Sequence, residues 1–206
     1  MAPIRVALVG LSANATTSWA AQGHLPYLLS LRGKTHYEVV ALLNSSTKAA
    51  EAAREHFKLS SSVKTYGDPA ALAADPDVDL VVVSTRVDTH AALARPQLEA
   101  GKPVFVEWPV ASSAAASRAL LDPGTNEKHK AALQRSIVGL QGQAAPILTK
   151  LREVLDSGRI GKVVNSEAKL YANLLGRDSQ PEPLAYLTER KVGGSSLTIT
   201  YGHTID

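Results

Sequence analysis

The sequence predicts an α/β fold: a doubly wound parallel sheet followed by the incomplete start of a second α/β domain. Three observations predict it. Short apolar runs alternate with helix-like segments through residues 1–110. The connections between them are short, which favours right-handed βαβ units and a parallel sheet. Runs such as "VDLVVVST" and "PVFVE" are apolar throughout, as strands covered on both faces are.

Taken in order, "IRVALVG" (4–10) is a β-branched strand that stops at glycine. A polar loop follows, and "WAAQGHLPYLLSL" then spaces Trp19, Ala20, Leu25, Leu28 and Leu29 as a helix would, bent or restarted at Pro26. "YEVVALLN" (37–44) is a second strand, and the alanine-rich "SSTKAAEAAREHF" is a helix with Ser45, Ser46 or Thr47 to cap it. A brief strand at 63–66 leads to a short helix with Pro69 just inside its start. "VDLVVVST" (78–85) is the most apolar strand, followed by a helix kinked at Pro96 and closed by Gly101. Val104, Phe105 and Val106 form the next strand. Val6, Leu8, Val40, Leu42, Val81, Val83, Val104 and Val106 are the expected core.

Beyond it, residues 112–121 read as helix, 122–129 ("DPGTNEKH") as a break, and 135–143 as a further strand. "PILTKLREVLDSGRIG" is a helix with Leu148, Leu151, Val154 and Leu155 on one face and Gly158 at its end. Residues 163–173 alternate like a half-exposed strand, and an unpaired strand of that kind is an association hazard. Self-association, or disorder after about residue 145, is therefore expected.

Composition excludes several functions. With no cysteine, disulfides, thiolate catalysis and cysteine metal sites are ruled out. The six histidines are scattered without the i, i+4 spacing of a helical metal site, so no metal is expected. A net charge of +3, with dispersed lysines and arginines, gives no stripe for nucleic acid. No apolar run approaches the roughly 20 residues needed to span a bilayer. The first strand begins within four residues, leaving no room for a signal peptide, so a cytoplasmic location is expected, or a nuclear one for a regulatory protein.

The first strand ends "VGLSANA". In a G-x-G-x-x-G/A turn, glycines let backbone N–H groups approach a pyrophosphate. Here Gly10 and Ala15 hold the outer positions and Ser12 replaces the middle glycine. The turn can bind a dinucleotide or be an ordinary strand-to-helix connection. Ser12, Thr16, Thr17 and Ser18 can offer hydroxyls to phosphates or cap the helix. Folds selective for NAD end the second strand with an acid for the ribose 2′-hydroxyl. This chain has Asn44 there, followed by Ser45, Ser46, Thr47 and Lys48, so NADP should be tolerated at least as well as NAD. "STRVDTH" places Thr85 and His90 beyond the central strand, where they can line the crevice or, for the histidine, pack as a buried ring. "GKPVFVEWPV" delivers Glu107 and Trp108 to the carboxyl end of a strand, with Pro109 fit for a cis peptide.

With Gly10, His90 and "AGKPVFVEWP" in register, the chain resembles the glucose–fructose oxidoreductase/inositol dehydrogenase (Gfo/Idh/MocA) family. "SWAAQGHLPYL", "EWP" in place of "EKP", "VGLQGQAAP" and "GGSSLTITYGHTID" are similar to a fungal branch of that family with regulatory members. The resemblance covers essentially the whole chain. It implies an NAD(P)-binding Rossmann domain over 1–143 and a partial α/β domain over 144–206, the family's second domain continuing well past residue 206. It also implies that "DPGTNEKH" interrupts what is a continuous helix in the family.

The family's dehydrogenases use the lysine of "EKP" with an aspartate and a histidine from a later motif. Those positions fall on Trp108, Ile199 and His203. Neither indole nor isoleucine exchanges a proton near neutral pH, which leaves His203 alone, near a chain end expected to fray. In the family the glutamate at Glu107 helps place the nicotinamide ribose; a structural hydrogen bond is the other reading of it. The resemblance thus implies a regulatory or cofactor-sensing protein that binds a dinucleotide and contacts a protein partner. The alternative it leaves open is an NAD(P)-dependent oxidoreductase acting on a sugar, a polyol or a secondary-metabolite carbonyl or alcohol.

Overall fold

The computed structural model describes residues 2–169, 171 and 181–205. Six strands, β1 (Ile4–Val9), β2 (Tyr37–Leu43), β3 (Lys64–Tyr66), β4 (Leu80–Val83), β5 (Val104–Glu107) and β6 (Ile137–Gly139), form one sheet in the order β3-β2-β1-β4-β5-β6. Every pairing is parallel. This is the doubly wound Rossmann arrangement, and its order reverses between β1 and β4.

The period-two alternation along β1 divides the core. Ala7 and Val9 face one layer with Leu72, Ala94, Leu98 and Leu120, whereas Val6 and Leu8 face the other with Leu25, Leu28, Ala50 and Ala53. Seven of the eight expected core residues are buried, and Val40 packs partly buried against them.

The helices begin where capping chemistry dictates. α1 (Leu25–Leu29) is preceded by a π-helical turn, Ala20–His24, in which the Leu25 N–H reaches back to the Ala20 carbonyl. Pro26, without an N–H, sits in the first turn of α1. α2 (Leu31–Lys34) is capped by Ser30, and α3 (Thr47–His56) by Ser46, whose hydroxyl accepts from the Ala49 N–H at 3.1 Å. α4 (Pro69–Ala73) is capped by Asp68. α5 (Val87–Glu99) continues as one helix through Pro96. α6 (Ala114–Leu121) and α7 (Glu127–Leu133) follow, capped by Ser113 and Asn126. The break between them covers only 122–126, because the Asn126 cap starts α7 inside the stretch expected to be irregular.

After β6, which is shorter than the expected 135–143, Gln141–Ala144 forms a 3₁₀ turn, and α8 (Pro146–Asp156) begins. α8 buries none of its residues, and Leu151 is 51% exposed. The strand expected over 163–173 is corrected: 163–169 carry no strand and are exposed, while 170, 172 and 173 lie outside the described residues. A strand requires a hydrogen-bonded neighbour, and none of the described residues supplies one to this segment. Two 3₁₀ segments, Glu182–Thr188 and Arg190–Val192, lead into α9 (Ser196–Ile205). This final helix does not hang free; it packs on the carboxyl end of β5 through Trp108.

Candidate functional site

The carboxyl ends of β1, β4 and β5 open into two adjoining cavities at the point where the strand order reverses. The larger, of about 730 Å³, is bounded by Gly10, Trp19, Glu107, Trp108, Tyr186 and His203. The smaller, of about 430 Å³, lies towards β2 and is bounded by Ser12, Asn44, Ser45, Gly67 and Thr89. Gly10, Thr85 and Arg86 line both and form the waist between them. Both volumes fall in the usual range for small-molecule sites.

The glycine ending β1 makes this waist possible. Gly10 has φ +92°, and a Cβ there would lie 2.3 Å from the Ser84 carbonyl oxygen. Only glycine permits β1 and β4 to end so close together. In the loop that follows, the Ser12 hydroxyl accepts weakly from the Asn14 N–H at 3.3 Å, and Ser18 is the residue that caps, accepting from the Ala21 N–H at 3.3 Å. Ala15, Thr17 and Ser18 line the larger cavity.

The Asn44 amide group donates to the Leu11 carbonyl at 2.8 Å and to the Ala49 carbonyl at 3.2 Å, tying the glycine loop to α3. Its NH₂ therefore fixes the loop, and Ser45 beside it keeps its hydroxyl for the cavity. Thr85 shares a hydroxyl contact of 2.8 Å with Thr89. His90 takes the packed-ring course: it is 1% exposed, with Nδ1 2.8 Å from the Pro109 carbonyl and Nε2 2.9 Å from that of Thr85. Burial lowers its pKa, so the ring is neutral and donates to one of the two carbonyls. Both nitrogens face backbone carbonyls, so the ring shapes the crevice wall and turns no polar atom towards a ligand.

Glu107 has a partner that sequence reasoning passed over. His24 Nε2 lies 2.6 Å from Glu107 Oε1, and both side chains are largely buried. The His24 ring also meets Phe105 edge-on at 5.3 Å. The π-helical turn before Pro26 carries His24 to this place; its signal was the "QGHLP" stretch, read only as a helix bend.

Trp108, joined to Pro109 by a cis peptide, points its Nε1–H at the Thr198 carbonyl of α9, 3.0 Å away. Gly202, one turn further along α9, lies so close to the indole that a Cβ there would fall 1.9 Å from Nε1. Held in this way, α9 turns Ile199 and His203 into the larger cavity. His203 Nδ1 is buried and has no hydrogen-bond partner among the described residues.

Arg86 and Tyr186 were given no part by the sequence, although Arg86 lies within the quoted "STRVDTH". The Arg86 guanidinium stacks 4.8 Å from the Tyr186 ring centre and forms two hydrogen bonds with Asp88, of 3.1 and 2.6 Å. The ion pair raises the arginine pKa and lowers that of Asp88. Among the described residues no group of three or more metal-ligand side chains occurs, and no helix is long and apolar enough to cross a membrane.

Two cavities thus meet at a glycine waist outside the carboxyl ends of parallel strands, where open α/β sheets keep their ligand sites. Comparisons with known proteins agree on the origin of this arrangement. Residues 4–134 match the family model described as "Oxidoreductase family, NAD-binding Rossmann fold". The chain is 36% identical to the dehydrogenase aclE of Aspergillus oryzae, over 98% of this chain and 53% of that protein. It is 29% identical to the galactose/lactose metabolism regulatory protein GAL80 of Saccharomyces cerevisiae, over 100% of this chain and 46% of that protein. The crystal structure of a super-repressor mutant of that yeast regulator matches with a TM-score of 0.74 and 28% identity, covering 99% of this chain and 51% of the other. The chain spans about half the length of the curated relatives it matches. It belongs to the Gfo/Idh/MocA oxidoreductase family, whose model describes an NAD-binding Rossmann fold.

Proposed function

We propose that the chain binds NAD(P) across the two cavities and acts as a dinucleotide-responsive regulatory protein that does not turn the cofactor over. The observation that carries this reading is the state of Trp108. Where the family resemblance calls for a lysine, the chain has an indole whose one polar hydrogen is already donated to Thr198. Ile199, at the aspartate position, lines the same cavity with an aliphatic side chain. A nicotinamide bound here would supply or accept hydride, but a positioned acid or base, worth typically about 10²–10⁴-fold in rate, is missing from both positions.

The remaining residues serve binding. The backbone after Gly10, with Ser12, takes the pyrophosphate, and Ala15 leaves room for it. Ser45 and the Asn44 carbonyl oxygen face the adenosine ribose, and Thr85 and the neutral His90 ring shape the wall behind the nicotinamide. Glu107, oriented by His24, stands at the nicotinamide end beside Trp108. No carboxylate guards the 2′ position, so NADP binds at least as well as NAD. The exposed apolar face of α8, with Ile147 77% exposed, supports contact with a protein partner or self-association. The cytoplasm or nucleus is the location such a regulator would need.

A second reading, an NAD(P)-dependent oxidoreductase, is favoured by His203, whose buried Nδ1 has no partner among the described residues, and by the likeness to a fungal dehydrogenase. Calorimetric titration with NADP and NAD, followed by absorbance assays with a panel of sugars, polyols and ketones, separates the two. Binding without turnover is expected, and Trp108→Lys alone should create none, because Ile199 stays mute. Steady cofactor reduction by the unmodified chain, abolished by His203→Ala, would overturn the regulatory reading.

A further inference from the structure

We propose that Arg86 holds the pyrophosphate bridge of the dinucleotide at the waist between the cavities, with Asp88 and Tyr186 positioning it. This rests on the dinucleotide reading above and adds to it a residue that neither the glycine turn nor the family resemblance supplies.

The argument is one of place and charge. The two cavities share three lining residues, Gly10, Thr85 and Arg86, so a single molecule that fills both must cross the protein there. The part of a dinucleotide lying between its two nucleosides is the pyrophosphate, which is also its most anionic part. Among the described residues lining either cavity, Arg86 is the one lysine or arginine. Ser12 in place of the middle glycine of the turn restricts close approach of the backbone to the phosphates. A cation at the waist offsets that loss.

The guanidinium is set up for the task. Asp88 engages Nε and Nη2, at 3.1 and 2.6 Å, and fixes the plane of the fork. The Tyr186 ring covers one face at 4.8 Å, an arrangement that holds a cation without neutralising it. Nη1 has no acceptor among the described residues, and the side chain is 49% exposed. A donor left over after bidentate pairing is what a phosphate oxygen can accept from, and charge-assisted bonds of this kind are the stronger ones. Tyr186 lines the larger cavity and not the smaller one, so it covers the guanidinium from the side away from the adenosine. The bland reading, a half-exposed ion pair that only decorates the start of α5, would contribute next to nothing to binding.

Arg86→Met alone would leave Asp88 as an unpaired anion that repels phosphate by itself, so the informative variant is Arg86→Met/Asp88→Asn. Calorimetry with ADP-ribose reads the pyrophosphate contact, and ligand-observed NMR with adenosine reads the nucleoside contacts alone. The double variant should bind ADP-ribose roughly tenfold or more weakly, the fold-change of one lost charge-assisted hydrogen bond, with adenosine affinity within about twofold of the unmodified protein. Circular dichroism and the melting midpoint serve as the folding control. Should the double variant not fold, Arg86→Gln/Asp88→Asn must show the same selective loss. Undiminished ADP-ribose binding overturns the assignment. So does an equal loss for adenosine, which would make Arg86 an adenine-stacking residue. If the unmodified chain binds neither NADP nor ADP-ribose, the dinucleotide reading itself fails and this inference fails with it.

Discussion

Replacing Gly202 by alanine tests whether the indole of Trp108 is what holds α9 against the sheet. In an ordinary helix interior the change stabilises by about 0.8–1 kcal/mol, because alanine has less backbone entropy to lose. Here the new methyl would sit 1.9 Å from Trp108 Nε1, far inside contact distance. Overpacking of that kind costs typically about 1–3 kcal/mol. Moving the ring aside also breaks its bond to the Thr198 carbonyl, worth about 0.5–1.5 kcal/mol. The net expectation is that docking of α9 weakens by about 1–3 kcal/mol. Hydrogen exchange over residues 196–205 reads that change directly, and tryptophan emission, with Trp19 as the second reporter, follows it. The decisive control is a double-mutant cycle with Trp108→Ala: once the indole is gone, Gly202→Ala should turn from destabilising to neutral or stabilising. If the glycine substitution weakens α9 equally in both backgrounds, or slows exchange in the unmodified one, the latch argument is wrong.

Two further outcomes concern the scaffold. Leu8→Ala, at a fully buried position on a central strand, should lower stability by about 2–5 kcal/mol, read from the denaturant midpoint at unchanged m-value. The carboxylate network at the amino-terminal edge of the sheet should make the fold acid-sensitive. Burial opposes ionisation of Asp75, but the Asp77 N–H, Lys64 and the Tyr66 hydroxyl outweigh it and hold its pKa below the usual carboxylate range, while Tyr66 is pushed up to about 12. A depressed folded-state pKa gives stability that is fully present above the unfolded value of about 3.9 and is lost as pH falls through the folded one. Denaturation between about pH 5 and pH 2 should therefore show a stability loss that is shallower in Asp75→Asn; an unchanged slope would remove Asp75 from the account.

The sheet was legible because its physics is local. Each strand of β1, β2, β4 and β5 is a short apolar run closed by a glycine, an asparagine, a polar residue or a proline, and a strand covered on both faces needs no other signal. Capping chemistry carried the start of α3, and Pro69 that of α4, but neither marked α7, since Asn126 lies inside a stretch whose proline and glycine argued for irregular chain. The alternation over 163–169 misled for a different reason. Period two states which residues could share a face, whereas a strand exists only where another backbone takes its hydrogen bonds.

The crevice was legible residue by residue and not in its pairings. Gly10, Ala15, Thr85, Glu107, Trp108 and His203 do meet around one cavity, yet nothing in the sequence joins His24 to Glu107 across 83 positions, or Trp108 to α9 across 90. The second pairing changes what the tryptophan means. Read alone, an indole in place of a lysine is a lost acid. In the structure its N–H and the ring atoms around it hold Thr198 and Gly202, which are one helical turn apart, and so fix the rotation of α9. The same rotation turns Ile199 and His203, also one turn apart, towards the larger cavity. Trp108, whose indole exchanges no proton, thus sets where the His203 imidazole stands. Restoring a lysine at Trp108 would undo that placement as well as add a base, and for this reason the single substitution should leave the crevice without turnover.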